Sequence, residues 1–188
     1  MAEKIQEMEL RERLLHRLSV HEVRDFVSRF TKDGANDADK ETLYALTFDA
    51  DQRVSVNAFW IFTHFDDSDN EWLFRYQNDL INRVLKEENV TKRRLMLSLL
   101  LRQPFEEANF RVDFMDHCLS QITACTQPYA IRVCCIKLAY EQMRSYAELL
   151  TELQTILASL TQTPLSPGLA SAKRQIEKKI RIQLKRLG

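Results

Sequence analysis

Three segments of this chain are apolar almost all the way round, and they recur about forty residues apart: 53–65 (RVSVNAFWIFTHF), 94–105 (RLMLSLLLRQPF) and 132–143 (RVCCIKLAYEQM). The segments that follow them, 71–86, 109–126 and 145–160, alternate apolar and polar positions with a helical period and are apolar on one side only. A helix that is apolar on every face has to be covered on every face. A stack of helix pairs does this, because each repeat buries the surface of its neighbour. The pattern therefore predicts an all-α chain: a short right-handed α-α solenoid closed by a C-terminal capping helix. Trp60, Val56, Leu97, Leu100, Val133 and Ile136 are the expected core.

Local signals place the ends of the helices. A first helix is expected over 3–17. Ser19-Val20-His21-Glu22 reads as a capping box, in which the serine hydroxyl and the glutamate carboxylate satisfy each other's backbone amides, and it opens a helix through Phe30. Residues 32–37 (KDGAND) read as a turn, followed by a helix over 37–48. Pro128 suits a first helical position, where its missing N–H would be unpaired anyway. Ser145-Tyr146-Ala147-Glu148 has the form of a second capping box. A short linker, 161–167 (TQTPLSP), leads to a last helix beginning at Ser166-Pro167. On that helix Leu169, Ile176, Ile180, Leu184 and Leu187 share one side, and Arg174, Lys178, Arg181 and Lys185 the other. The expected organisation is one helical domain over 1–188: N-terminal helices in 1–36, repeats in 37–161, and linker plus capping helix in 162–188.

Arg53-Val54, Arg94-Leu95 and Arg132-Val133 open the three apolar helices at the same point, with spacings of 41 and 38 residues. The fragments Gln52-Arg53-Val54-Ser55-Val56-Asn57-Ala58 and Ala130-Ile131-Arg132-Val133-Cys134-Cys135 are similar to the Val-Arg-x-x-Ala helix start of the HEAT-like and armadillo-type repeat family. The resemblance covers about 37–160, in three or four units. It implies a non-enzymatic interaction module, a scaffold or adaptor that binds a polypeptide segment on its repeat surface. HEAT-like repeats also build DNA-binding proteins and alkylpurine DNA glycosylases, which use an Asp with Trp and Arg residues in a basic groove. That is the alternative the resemblance carries, and no catalytic residue can be transferred to this chain.

Charge bears on that choice. Lys+Arg and Asp+Glu both total 27, so the chain is formally neutral, whereas domains that hold nucleic acid by its backbone are usually basic. The charge is uneven: residues 166–188 carry seven basic side chains and one acidic. A protein or peptide partner is thus favoured over nucleic acid. No apolar run is long enough to span a bilayer, so no membrane role is expected. The N-terminal residues lack the apolar core of a secretion signal. Cys118, Cys125, Cys134 and Cys135 form no CxxC pair and read as reduced thiols. Together these features predict a cytoplasmic protein. Oligomeric state leaves no mark on the sequence.

Motifs for phosphate cradling, zinc-dependent hydrolysis or a nucleophile elbow do not occur. His16, His21, His64 and His117 are scattered over different helices. Asp66-Asp67-Ser68-Asp69-Asn70 gathers three carboxylates, but helix capping is the commoner use of such a turn. No metal or cofactor is expected. The candidate binding residues lie instead on the polar faces of the one-sided helices: Arg75, Asn78, Asp79 and Asn82, then Asp113, Asp116 and Ser120, then Glu148, Thr151, Glu152 and Thr155. This ridge grows more acidic along the array. Beside it run Trp72, Tyr76 and Arg83, residue types enriched in binding hot spots.

Overall fold

Helices make up the regular structure of the chain, and no strand occurs among the described residues. The computed structural model describes residues 2–31, 37–160 and 165–188, with side chains from residue 7 onward. In order they form α1 (Ala2–Leu14), α2 (Val20–Thr31), α3 (Asp37–Leu46), α4 (Gln52–Phe62), α5 (Asp67–Asn70), α6 (Gln77–Lys86), α7 (Val90–Leu100), α8 (Val112–Thr123), α9 (Tyr129–Met143), α10 (Ala147–Ser159) and α11 (Pro167–Leu187). Short 3₁₀ turns span Glu71–Tyr76 and Glu107–Asn109. The expected turn at 32–36 and most of the linker, 161–164, lie outside the described residues.

Most starts follow from side-chain capping. Ser19 and Glu22 form the expected box: Ser19 N–H donates to Glu22 Oε2 (2.8 Å) and Glu22 N–H to Ser19 Oγ (3.3 Å). Asp51 caps α4 through the amides of Arg53 and Val54. Asn89 caps α7 through those of Thr91 and Lys92. Ser166 caps α11 ahead of Pro167. Two expectations fail. The box at Ser145–Glu148 does not form; Tyr146 occupies the cap position of α10 and makes no side-chain capping bond. The helix expected over 71–86 is broken, because residues 71–76 wind as a 3₁₀ turn that buries Trp72 and Leu73 together. Pro128 sits one residue before its expected place, at the N-cap of α9, where its carbonyl accepts from the amides of Ile131 and Arg132.

The helices gather into two compact units, Met1–Tyr76 with Glu87–Arg102, and Gln77–Lys86 with Gln103–Gly188. In the first, α4 is surrounded by α1, α2, α3 and α7. That is what an all-round apolar helix requires, and Val54, Ala58, Phe59, Ile61 and Phe62 are each 0% exposed. In the second, α9 takes the central place, packed by α8, α10 and α11, while α6 and α10 each pack on α8. Ile131, Cys135, Ile136, Leu138, Ala139 and Met143 of α9 are 0% exposed.

The expected core divides. Leu97, Leu100 and Ile136 are fully buried. Trp60, Val56 and Val133 are only half-buried. For α4 the reason is its geometry: Val56 and Trp60 share a face with Arg53, at i+3 and i+7, and Arg53 is exposed. That face is left partly open.

Hydrogen bonds carry the repeat independently of apolar patterning. Within the first unit Arg53 Nη1 donates to Leu15 O (3.4 Å), 38 residues away, and Arg102 Nη2 to Phe65 O (2.7 Å), 37 away. Within the second, Arg144 Nη2 donates to Phe105 O (3.4 Å) and Gln183 Nε2 to Arg144 O (2.9 Å), each 39 away. In every case a polar side chain one repeat later meets a carbonyl left without a partner at or beyond a helix C-terminus. The last pair shows α11 standing toward α9 as one repeat's first helix stands toward the previous one.

Two polar side chains inside the apolar helices serve the same end. Arg132, 4% exposed, donates from Nε to Ile122 O (2.9 Å) at the end of α8. Asn57, 6% exposed, donates from Nδ2 to both Leu14 O and His16 O, each at 2.9 Å, tying α1 to α4. Replacing Asn57 by leucine leaves those carbonyls unpaired. Because a buried unpaired group costs about 1–3 kcal/mol, urea denaturation of Asn57→Leu should show a loss of about 2–3 kcal/mol with an unchanged m-value.

Candidate binding surface

The first part of the candidate ridge lies in the first unit and is engaged by α3. Trp72 is 6% exposed. Its ring lies parallel to that of Phe62 (centroids 6.1 Å, 6°) and edge-on to Tyr44 (6.2 Å, 70°). Tyr76 stacks on Tyr44 at 4.0 Å, and its hydroxyl donates to Glu41 Oε2 at 2.5 Å. Burial first, and the neighbouring Glu41 carboxylate second, push the Tyr76 phenol up to about 12. Arg75 lies 5.1 Å over the Trp72 ring and pairs with Asp37 (3.3 Å) and Glu41 (4.0 Å). Trp72, Arg75 and Tyr76 thus clasp α3, and only Arg75 is exposed.

The rest of the ridge lies in the second unit, on α6, α8 and α10, which pack in that order. Asn78 and Asn82 on α6 and Asp113 on α8 meet at one cation, Arg111. Its Nη1 donates to Asn78 Oδ1 (3.3 Å) and its Nη2 to Asn82 Oδ1 (2.9 Å). Its Nε and Nη2 hold Asp113 Oδ1 (2.8 Å) and Oδ2 (2.6 Å). This hydrogen-bonded guanidinium keeps the Asp113 carboxyl below the usual aspartate range. Reading the chain by helix faces missed Arg111: a helix was expected over 109–126, but α8 starts at Val112 and Arg111 stands at its N-cap, off the helix face. The signal was there in Arg111-x-Asp113, a pair too close to lie on one helix face. Asp79 pairs with Arg83 along α6 (3.9 Å). Asp116 on α8, and Glu148 and Glu152 on α10, are exposed and have no cationic partner among the described residues.

The acidic turn Asp66–Asp69 serves the fold. Asp66 accepts from Asp69 N–H (2.8 Å) and Ser68 Oγ (2.9 Å). Asp67 pairs with Arg102 (2.9 Å), and Asp69 with Lys40 (3.1 Å). The three carboxylates are turned toward separate partners, and no cluster of three metal-ligating side chains occurs among the described residues. All four cysteines are free, and only Cys125 is exposed. Burial pushes the Cys118 thiol well above its ordinary range, which makes it a poor nucleophile. No helix among the described residues is long and apolar enough to cross a membrane.

Helices apolar all round, enclosed by their neighbours and laced by hydrogen bonds at intervals of 37–39 residues, define a helical-repeat protein. The model of the HEAT repeat domain matches residues 10–180, and the chain belongs to that family. No curated protein and no solved structure matches it significantly. The family match extends past the segment whose motifs resemble HEAT repeats, into α11.

Proposed function

We propose that the chain is a non-enzymatic binding module, and that the α8–α10 face of the second unit takes a basic polypeptide segment. One observation carries the reading. Asp116, Glu148 and Glu152 stand exposed on two helices packed side by side, with no cation among the described residues to neutralise them. Exposed like charges destabilise the surface that bears them and are relieved by a partner of opposite sign. HEAT-type repeats commonly bind along such stacked faces. Arg111 marks one border, since it already neutralises Asp113 and occupies Asn78 and Asn82. Within the unit the ridge narrows from the candidates on α6 to the carboxylates beyond Arg111. One domain acting as one module, in the cytoplasm, is the accompanying proposal.

The test is fluorescence anisotropy with a labelled lysine-rich peptide at about 50 mM and 200 mM salt, with a DNA duplex measured in parallel. The peptide should bind and weaken with salt. The triple variant Asp116→Lys, Glu148→Lys, Glu152→Lys should weaken binding at least about tenfold, since each reversal turns an attraction into a repulsion. Duplex binding in preference to the peptide would support the DNA-binding alternative and overturn this reading.

A further inference from the structure

The half-buried Trp60 borders a cavity of about 520 Å³ between the α1–α2 junction and α4, wholly within the first unit. Leu18 and Asn57 line it as buried side chains, and Arg17, Ser19 and Glu22 as exposed ones. The α8–α10 ridge belongs to the other unit, so this site shares no residue with the one proposed above.

Three features of the cavity favour positive charge. The first is Asn57. Its amide nitrogen is committed to Leu14 O and His16 O, which fixes the orientation of the group, because only the nitrogen end can meet two carbonyls. Its Oδ1 is left as an acceptor with no donor among the described residues, on a side chain more than nine-tenths buried. The second is Glu22. Both donors of Ser19 fall on Oε2, each at 2.8 Å, leaving Oε1 without a partner among the described residues. Those bonds also hold the carboxyl below the usual glutamate range. The third is the indole of Trp60, the side chain whose face attracts cations most strongly. The ring is steadied by His64, whose imidazole meets it edge-on at 5.7 Å and whose Nδ1 contacts Trp60 O at 3.0 Å. Arg17 has the opposite sense, but it is exposed and has no acidic partner among the described residues.

We propose that this cavity is a docking site for an arginine side chain of a partner polypeptide. The planar guanidinium lies against Trp60 and donates to Asn57 Oδ1 and Glu22 Oε1. A guanidinium fits better than an ammonium, because it stacks on an indole and still presents in-plane N–H groups to two separate acceptors. The site is preorganised: the Asn57 bonds and the Ser19–Glu22 box are already made.

The chain has two tryptophans, so its ¹⁵N-correlated NMR spectrum contains two indole N–H peaks, and Trp72 is buried. Acetyl-Gly-Arg-Gly-amide, added at low salt, should shift the Trp60 indole peak saturably and leave the Trp72 peak in place. The citrulline peptide has the same shape without the charge. It should bind about tenfold more weakly, the order expected for losing a charge-assisted hydrogen bond. Glu22→Gln should also weaken binding about tenfold while keeping the helix start, since glutamine serves equally in a capping box. Arg17→Gln should tighten binding by removing a like charge. Three results would each overturn the proposal: equal binding of the citrulline peptide, no shift of the Trp60 peak at millimolar peptide, or stronger binding of acetyl-Gly-Glu-Gly-amide together with weaker binding by Arg17→Gln. The last would assign the cavity to anions. The ridge variant with Asp116, Glu148 and Glu152 reversed should bind the arginine peptide unchanged, so the two sites can fail independently.

Discussion

Replacing Trp72 by alanine should cost about 3–5 kcal/mol, the usual range for deleting a buried aromatic, whereas Trp60→Ala should cost only about 1–2 kcal/mol. The reason is the difference in surroundings. Trp72 is 6% exposed and is enclosed by Phe62, Tyr44 and Tyr76, with ring centroids 6.1, 6.2 and 5.2 Å away. Removing it opens a cavity inside the cluster that joins α3, α4 and the 71–76 turn. It also releases Arg75, which rests on the indole. Trp60 already borders an open cavity, so its deletion leaves less newly unfilled space and loses less buried area. Guanidinium denaturation of the two single variants gives the comparison directly. Equal losses would mean that the two rings are equally enclosed, against the packing described here.

The two tryptophans also show where the sequence is legible. Apolar periodicity reports how greasy a helix is on average, and on that measure α4 had to be central, as it is. Periodicity says nothing of which neighbour covers which face. The face of α4 that carries Arg53, Val56 and Trp60 borders the α1–α2 junction, where Arg53 bonds Leu15 O and Trp60 lines the cavity, and whether a junction fills that space depends on chain geometry some forty residues earlier. The same gap hid the fate of Trp72. An unbroken helix over 71–86 places it beside the polar ridge, but a 3₁₀ turn changes the angle per residue and turns Trp72 inward with Leu73. Caps were legible at Ser19, Asp66 and Ser166, where the side chain acts within three residues. Long-range polar bonds were not. Asn57, Arg102, Arg132 and Arg144 act on carbonyls 10–43 residues away, and nothing local distinguishes them from solvated side chains. Of the candidate ridge, exposure at Asp116, Glu148 and Glu152 followed from helical phase alone. The engagement of Asn78, Asn82 and Asp113 required Arg111, which the expected helix over 109–126 takes in but which the structure leaves at the N-cap of α8.

Removing residues 166–188 should destabilise the second unit and make the chain associate. Helix α11 buries Leu169, Ala172, Ile176 and Ile180 against α9 and α10. Each fully buried large aliphatic side chain is worth about 1.5–3 kcal/mol of transfer free energy, and the surface beneath them on α9 and α10 loses its cover at the same time. Helix α9 is apolar on nearly every face, so an uncovered side offers a second molecule an apolar patch of the kind that drives self-association. Arg144 O also loses its bond from Gln183, and Tyr140 the Lys179 ammonium 5.2 Å above its ring. The shortened chain should melt lower and show a concentration-dependent mass by light scattering. The outer face of α11 supplies the contrasting case. Arg174, Lys178, Arg181 and Lys185 are exposed and have no acidic partner among the described residues. Replacing all four with glutamine should leave stability within about 1 kcal/mol, as for surface positions away from caps and networks. A shortened chain that stays monomeric and equally stable would show that α9 and α10 do not depend on α11 for cover. A large loss in the glutamine variant would show instead that the four charges, and not the buried stripe, hold the helix in place.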